Sequence, residues 1–312
     1  MDGKQLCIQG CRVMKVLLLG AQGQVGWELQ RSLAPLGELV ALERQGSGNL
    51  LGDLINPKGL ENTVEQIVPD VIVNAAAYTA VDKAESEPEI AETINAKAPS
   101  TLAKQAYKHG ALLVHYSTDY VFDGNGNKPW NETDQPYPLN VYGQSKLHGE
   151  MGIQESGCNH LIFRTSWVFS AHRHNFIRTM LRLAKEKKEL KVINDQIGSP
   201  TGAELIADIT AHCLAPALTN SNLAGTYHLA TGGETSWYEY AKLIIDAAGQ
   251  KGRDLKVTPQ DIQAVPSGEF PTTAKRPRNS RLDIGKLQNT FGFHLPRWEQ
   301  GVLRALKEII SQ

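Results

Sequence analysis

The stretch "KVLLLGAQGQVGWELQ", residues 15–30, limits the possible folds more than any other part of the chain. An apolar run stops at Gly20, two more glycines follow at Gly23 and Gly26, and an amphipathic segment begins. At a strand-to-helix junction, three such glycines have separable duties. One allows the tight turn, one lets the backbone approach a pyrophosphate, and one allows close helix–strand packing. The helix N-terminus adds free N–H groups and the positive end of its dipole. Between a strand and a helix this pattern reads as a dinucleotide turn, with Gly20, Gly23 and Gly26 as cofactor-binding positions.

The rest of the first half fits that junction. Residues 15–19, 39–42, 71–74, 112–117 and 161–164 form short runs rich in Val, Leu and Ile, and 25–33, 90–109, 140–154 and 175–187 carry apolar residues at helical spacing. Apolar strands alternating with helices imply a parallel sheet covered on both faces. Right-handed crossovers make it doubly wound. The expected architecture is a Rossmann-like α/β domain over residues 14–194. A smaller, mostly helical substrate-binding cap then spans 195–312, with helices near 203–214, 236–248 and 298–310; no clean boundary to the sheet is visible, which leaves interleaving of the two open. Residues 1–13, ahead of Met14 and the first strand, are expected to be a dispensable extension or to reflect an upstream start codon.

Charge excludes some functions. With 32 basic and 33 acidic side chains and a net charge of -1, the chain has no strong field for nucleic acid or an anionic membrane. No apolar run approaches the roughly 18 residues of a membrane span, and residues 1–13 lack the apolar core of a signal peptide. Cys7, Cys11, Cys158 and Cys213 lack metal-ligand spacing, so free thiols and a cytoplasmic location are expected.

Strand ends supply the chemistry. Glu43 and Arg44 follow the second strand, where an acid would accept from a ribose 2′-OH and an arginine would pair with a 2′-phosphate. Having both leaves NADPH or NADH open. Asp53 is placed to meet the adenine edge or to cap a helix. "VNAAAYTAVDKAE" leaves a strand at Asn74, so residues 75–79 lie at the carboxyl edge of the sheet beside the cofactor. "VHYSTDYVFDG" brings Ser117 and Thr118 to the same edge, and "NVYGQSKLHGE" carries Tyr142 and Lys146 one helical turn apart.

Hydride addition to a ketone leaves an alkoxide that needs a proton. A phenol has a pKa near 10, and an ammonium within about 4–6 Å is expected to bring Tyr142 down toward neutrality. A hydroxyl at Thr118 would stabilise the developing charge. Tyr142, Lys146 and Thr118 are therefore the catalytic candidates. Arg276, Arg278 and Arg281 of "RPRNSRL" offer either a diphosphate clamp or a merely basic loop.

Taken together, Gly20-x-x-Gly23-x-x-Gly26, Asn74-Ala-Ala-Ala, Ser117-Thr-Asp-Tyr-Val-Phe and Tyr142-Gly-Gln-Ser-Lys146 resemble the extended short-chain dehydrogenases/reductases. Within them the chain is most similar to the dTDP-4-dehydrorhamnose reductase family, through "NAAAYTAVDKAE", "HYSTDYVFDG", "NVYGQSK", "FRTSWVF" and "INDQIGSPTGAEL". That resemblance implies reduction of the 4-keto group of dTDP-6-deoxy-L-lyxo-4-hexulose by NADPH or NADH. It assigns Tyr142 as the acid, and Lys146 as its tuner and a ribose contact. Thr118, Asp119 and Trp167 become substrate contacts. Gln24, Val25, Asp53, Leu54, Ala77, Tyr78, Thr79 and Tyr116 join the cofactor lining. It also implies a homodimer, and Mg2+ at Glu28, Glu204 and Glu299, assembled between subunits. Two other readings stay open: a related nucleotide-sugar 4-ketoreductase or epimerase using the same residues, and a non-catalytic dinucleotide-binding regulatory subunit.

Overall fold

The computed structural model describes residues 13–311. The extension, with Cys7 and Cys11, lies almost wholly outside them. β1 (Lys15–Leu19), β2 (Glu38–Leu42), β3 (Val71–Asn74), β4 (Leu112–Thr118) and β5 (His160–Thr165) join the Gly225–His228 strand in one parallel sheet. Across the sheet the order is Gly225–His228, β5, β4, β3, β1, β2. The chain therefore runs outward from β1 to β2 and then crosses back to β3 on the other side of β1. That reversal opens a crevice at the carboxyl ends of β1 and β3, the place where open α/β sheets bind ligands.

Both faces of the sheet are buried, as the unbroken apolar strands require. Val16 and Leu18 point to one side, with α1 (Gln24–Leu33) and the Ala203–Thr219 helix. Leu17 and Leu19 point to the other, with α2 (Pro57–Ile67) and the Ala98–His109 helix. The helix expected over 90–109 is broken in the structure. Pro88–Glu92 leads into a π-turn at Thr93–Lys97 before Ala98–His109 begins.

A second core gathers the Phe176–Glu186, Trp237–Gln250 and Trp298–Ser311 helices around the parallel pair Leu190–Ile193 and Ile262–Val265. The Ala203–Thr219 helix and the Gly225–His228 strand lie beyond residue 195 but pack with the sheet. Phe176–Glu186, before residue 195, packs with the cap. A single cut at 195 therefore does not separate the two cores, which interleave along the chain.

Candidate active site

The glycine turn forms against β3. Gly20 has φ +81, and a Cβ there would lie 2.7 Å from the Ala76 nitrogen. A Cβ on Gly26 would meet the Gly20 carbonyl oxygen at 2.0 Å. Side chains at these positions would force the turn away from β3 and α1 and deform the cradle, so the glycines present fit the pyrophosphate of a dinucleotide. Gly23 precedes α1, and its N–H donates to the Gly20 carbonyl at 3.0 Å. The Gln24 side-chain carbonyl accepts from Ser170 at 3.1 Å and Asn175 at 3.3 Å, tying the helix start to a loop over the crevice. Val25 packs on the core.

At the edge of β2, Arg44 pairs with Asp53 at 3.2 Å, and Gln22 donates to Glu43. Asp53 also accepts from the Ile55 N–H at 3.1 Å, while the Leu54 side chain is buried in the core. Beyond β3, the Ala77–Tyr78–Thr79 backbone is held by Asn95. The Asn95 carbonyl accepts from Tyr78 N–H at 2.9 Å, and its amide donates to the Tyr78 carbonyl at 3.0 Å and to Ser145 at 3.0 Å. Asn95 sits inside the π-turn, so the irregular helix aims it at both the turn and the Val141–Glu155 helix. Sequence reasoning missed it, because one Asn in a helical run carries no pattern.

The Val141–Glu155 helix is capped by Asn140, whose side chain accepts from the Gly143 N–H at 2.8 Å and donates to the Lys275 carbonyl at 2.7 Å. Its first turn presents Tyr142 beside Thr118 and Asp119 of the β4 end. Thr118 donates to Asp119 at 3.1 Å, and its hydroxyl also bears on the Tyr142 phenol. The Tyr120 ring meets the Tyr142 ring edge-on at 5.6 Å.

Here the expected tuning of Tyr142 is corrected. Its phenol is pushed up to about 12 by desolvation, with the Thr118 hydrogen bond opposing and the Asp119 charge adding. The Lys146 ammonium is turned to β4 instead: Nζ donates to the Tyr116 carbonyl at 2.6 Å and lies 3.1 Å from His115 Nε2. Burial lowers Lys146 to about 8, against the raising effect of Glu150. Asp119, only 2% exposed, is raised by burial to about 7, with Ser280 and Thr118 opposing.

Strand alternation sends the Tyr116 phenol to the opposite face, where it bonds Thr210 at 2.8 Å, while its carbonyl accepts from Lys146. Trp167 adopts the left-handed region at φ 49, rare for a bulky residue, and stacks on Trp237 with centroids 3.7 Å apart. Arg276 and Arg278 line a cleft of about 440 Å³ with Gln196 and Lys275, whereas Arg281 turns to Glu234 at 2.6 Å.

The metal expectation does not fit one chain. Glu28 pairs with Arg31 at 3.6 Å, Glu204 with Arg304 at 3.3 Å and Glu299 with Arg297 at 2.8 Å. Among the described residues no group of three or more His, Cys, Asp or Glu could hold a metal ion. Likewise, no helix among them is long and apolar enough to cross a membrane.

The model of the RmlD substrate binding domain family matches residues 14–311. The chain is 55% identical over 298 residues to the dTDP-4-dehydrorhamnose reductase of Salmonella typhimurium, covering 96% of this chain and 99% of that protein. Identity is 55%, with the same coverage, to the enzyme of that name from Escherichia coli strain K12. Its structure is similar to that of the Bacillus anthracis dTDP-4-dehydrorhamnose reductase in complex with NADP, with a TM-score of 0.83 and 34% identity, over 95% of this chain and 100% of that one. A glycine cradle at the sheet reversal, a Thr–Tyr–Lys set at the next strand end and likeness along almost the whole chain agree: the chain belongs to the dTDP-4-dehydrorhamnose reductase family.

Proposed function

We propose that this protein reduces the 4-keto group of dTDP-6-deoxy-L-lyxo-4-hexulose with NADPH or NADH, giving dTDP-L-rhamnose. The observation that carries the reading is the pairing of the Thr118 hydroxyl with the Tyr142 phenol at the carboxyl edge of the sheet, two strands from the glycine cradle.

A bound reduced nicotinamide supplies the hydride. Tyr142 then protonates the sugar oxygen. A phenol held near 12 is fully protonated at neutral pH, so it meets the substrate as a donor, and it gives its proton readily to a much more basic alkoxide. Thr118 steadies the same oxygen, and Asp119 bears on Thr118 and the sugar hydroxyls. Lys146 replaces the proton that Tyr142 has given up. Trp167, stacked on Trp237, presents a flat apolar wall to the sugar. Gly20, Gly23, Gln24, Val25, Gly26, Asp53, Leu54, Ala77, Tyr78 and Thr79 take the dinucleotide.

The proposal includes a homodimer. Trp27 on α1 is 45% exposed beside Glu28, an unusual place for a solvated indole, and light scattering at micromolar concentration reads the mass.

The test is consumption of NADPH and of NADH with the dTDP-4-keto-6-deoxy-L-hexose, with NMR of the product. A product of dTDP-L-rhamnose supports the reading. A different C4 epimer would transfer the chain to the related ketoreductases, and zero turnover by folded, dinucleotide-loaded protein would make it a binding subunit.

A further inference from the structure

Behind Lys146, the β4 sequence "LLVHYST" places a histidine where the alternation calls for an apolar residue. His115 shares a face with Leu113 and has no exposed surface. Parallel register sets it opposite Asn74 of β3. His115 Nδ1 lies 3.2 Å from the Asn74 amide nitrogen, and Nε2 lies 3.1 Å from Lys146 Nζ. A leucine here would fill the core without burying a polar ring, so the imidazole carries a cost that packing does not explain.

The Asn74 amide is not free to turn. Its carbonyl accepts from the Ala76 N–H at 3.2 Å, in the turn that meets Gly20. Its NH2 group therefore faces His115 and donates to Nδ1. A neutral imidazole that accepts at Nδ1 carries its proton on Nε2, and that N–H points at Lys146. Burial and the Lys146 charge both hold the His115 pKa well below its ordinary value, so the ring stays neutral.

The groups around the lysine agree with this polarity. Lys146 is 1% exposed, and the direct partners of its Nζ are a neutral carbonyl and a neutral ring. The nearest carboxylate on its own helix, Glu150, is taken by Arg164 of β5, with contacts at 2.6, 3.0 and 3.1 Å. Glu150 is the charged group that bears on the lysine, and Lys146 the one that bears on the ring. An amine lone pair can accept from Nε2–H, whereas an ammonium faces it donor to donor.

We infer that His115 is a positioning residue which, held in one tautomer by Asn74, stabilises the neutral amine of Lys146 and so makes the lysine a proton donor rather than a fixed charge. This rests on the catalytic reading above. In the step it serves, an Nζ–H bond breaks and the proton passes through bridging water, so that an O–H bond forms on the Tyr142 phenolate. The electron pair stays on nitrogen, leaving an amine that solvent reprotonates. Removing the Nε2–H should make the ammonium more persistent and proton release slower.

The test uses the full chain with NADPH and the 4-keto sugar nucleotide, comparing His115→Met and His115→Gln with wild type from pH 6 to 10. The Gln side chain can present an N–H where Nε2–H stood. His115→Met is expected to lower kcat about tenfold at pH 7 with KM for the sugar unchanged, and to move the basic limb up by about one pH unit. His115→Gln should restore much of both. A Met variant that loses rate with its limb unmoved, or moved down, would overturn the inference, since a packing defect changes the rate alone. Long-range 1H–15N NMR of wild type decides the case even if neither variant folds: a protonated Nε2 supports it and a bare Nε2 contradicts it. Failure of Tyr142→Phe to lose activity would instead sink the catalytic reading itself.

Discussion

Lys146 Nζ donates to the Tyr116 carbonyl oxygen at 2.6 Å, two residues before Thr118 on the same strand. The Val141–Glu155 helix is thereby pinned to the strand end that carries the partner of Tyr142. The ammonium is lost as pH rises through about 8, because burial has brought the lysine down from 10.5. Reduction needs the protonated form, so kcat should be level below that pH and fall above it. Lys146→Met should abolish the limb and cost roughly two orders of magnitude in rate. Stopped-flow profiles of both proteins check this.

Glu150 and Arg164 form an ion pair at 2.6 Å whose side chains are 1% and 5% exposed. Arg164 also lies over the Phe122 ring at 5.1 Å. Glu150→Gln strands a buried guanidinium and should cost about 3–5 kcal/mol, whereas Glu150→Gln with Arg164→Met should regain much of it. Urea melts of the single and double variants measure the difference.

Gly26→Ala places a methyl 2.0 Å from the Gly20 carbonyl oxygen, where only a backbone shift relieves it. Overpacking of this kind costs about 1–3 kcal/mol. The shift also deforms the cradle, so dinucleotide affinity should drop at least tenfold while affinity for the sugar nucleotide alone holds. Fluorescence titration with each ligand separates the two effects.

Asp119 provides a pH test of stability. Its folded pKa is raised from 3.8 to about 7, so its contribution is fully present below the unfolded value and is lost as pH rises through about 7. Asp119→Asn does not titrate. Relative to wild type it should gain stability steadily between about pH 4 and 7 and level off above, by up to about 4 kcal/mol. Calorimetry across that range checks the slope, and a flat difference would contradict it.

Legibility of the fold followed the range of the interactions. The glycine turn, the apolar strands and the Tyr142–Lys146 spacing are local patterns, and the sheet and the site edge followed from them. Asn95, His115, Glu150 and Arg164 depend on partners 14 to 50 residues away, which no local pattern announces. One signal was present: His115 and Arg164 each follow an unbroken apolar run within a strand, and a polar group there requires a buried partner. Glu150 one turn after Lys146 was the matching hint. The direction of the Tyr142 shift was misjudged because spacing put the lysine on the right face without saying where its amine would turn. The sequence left the interleaving of the cap open for a similar reason, since a helix such as Ala203–Thr219 shows what it buries but not against which layer.

The central claim is that the Tyr142 phenol gives its proton to the reduced sugar. Tyr142→Phe keeps the ring and its edge contact with Tyr120 and deletes only the hydroxyl. Single-turnover reduction by this variant, preloaded with NADPH, should be slower by roughly two to four orders of magnitude, with dinucleotide affinity nearly unchanged. A single-turnover rate within a fewfold of wild type would mean that another group supplies the proton.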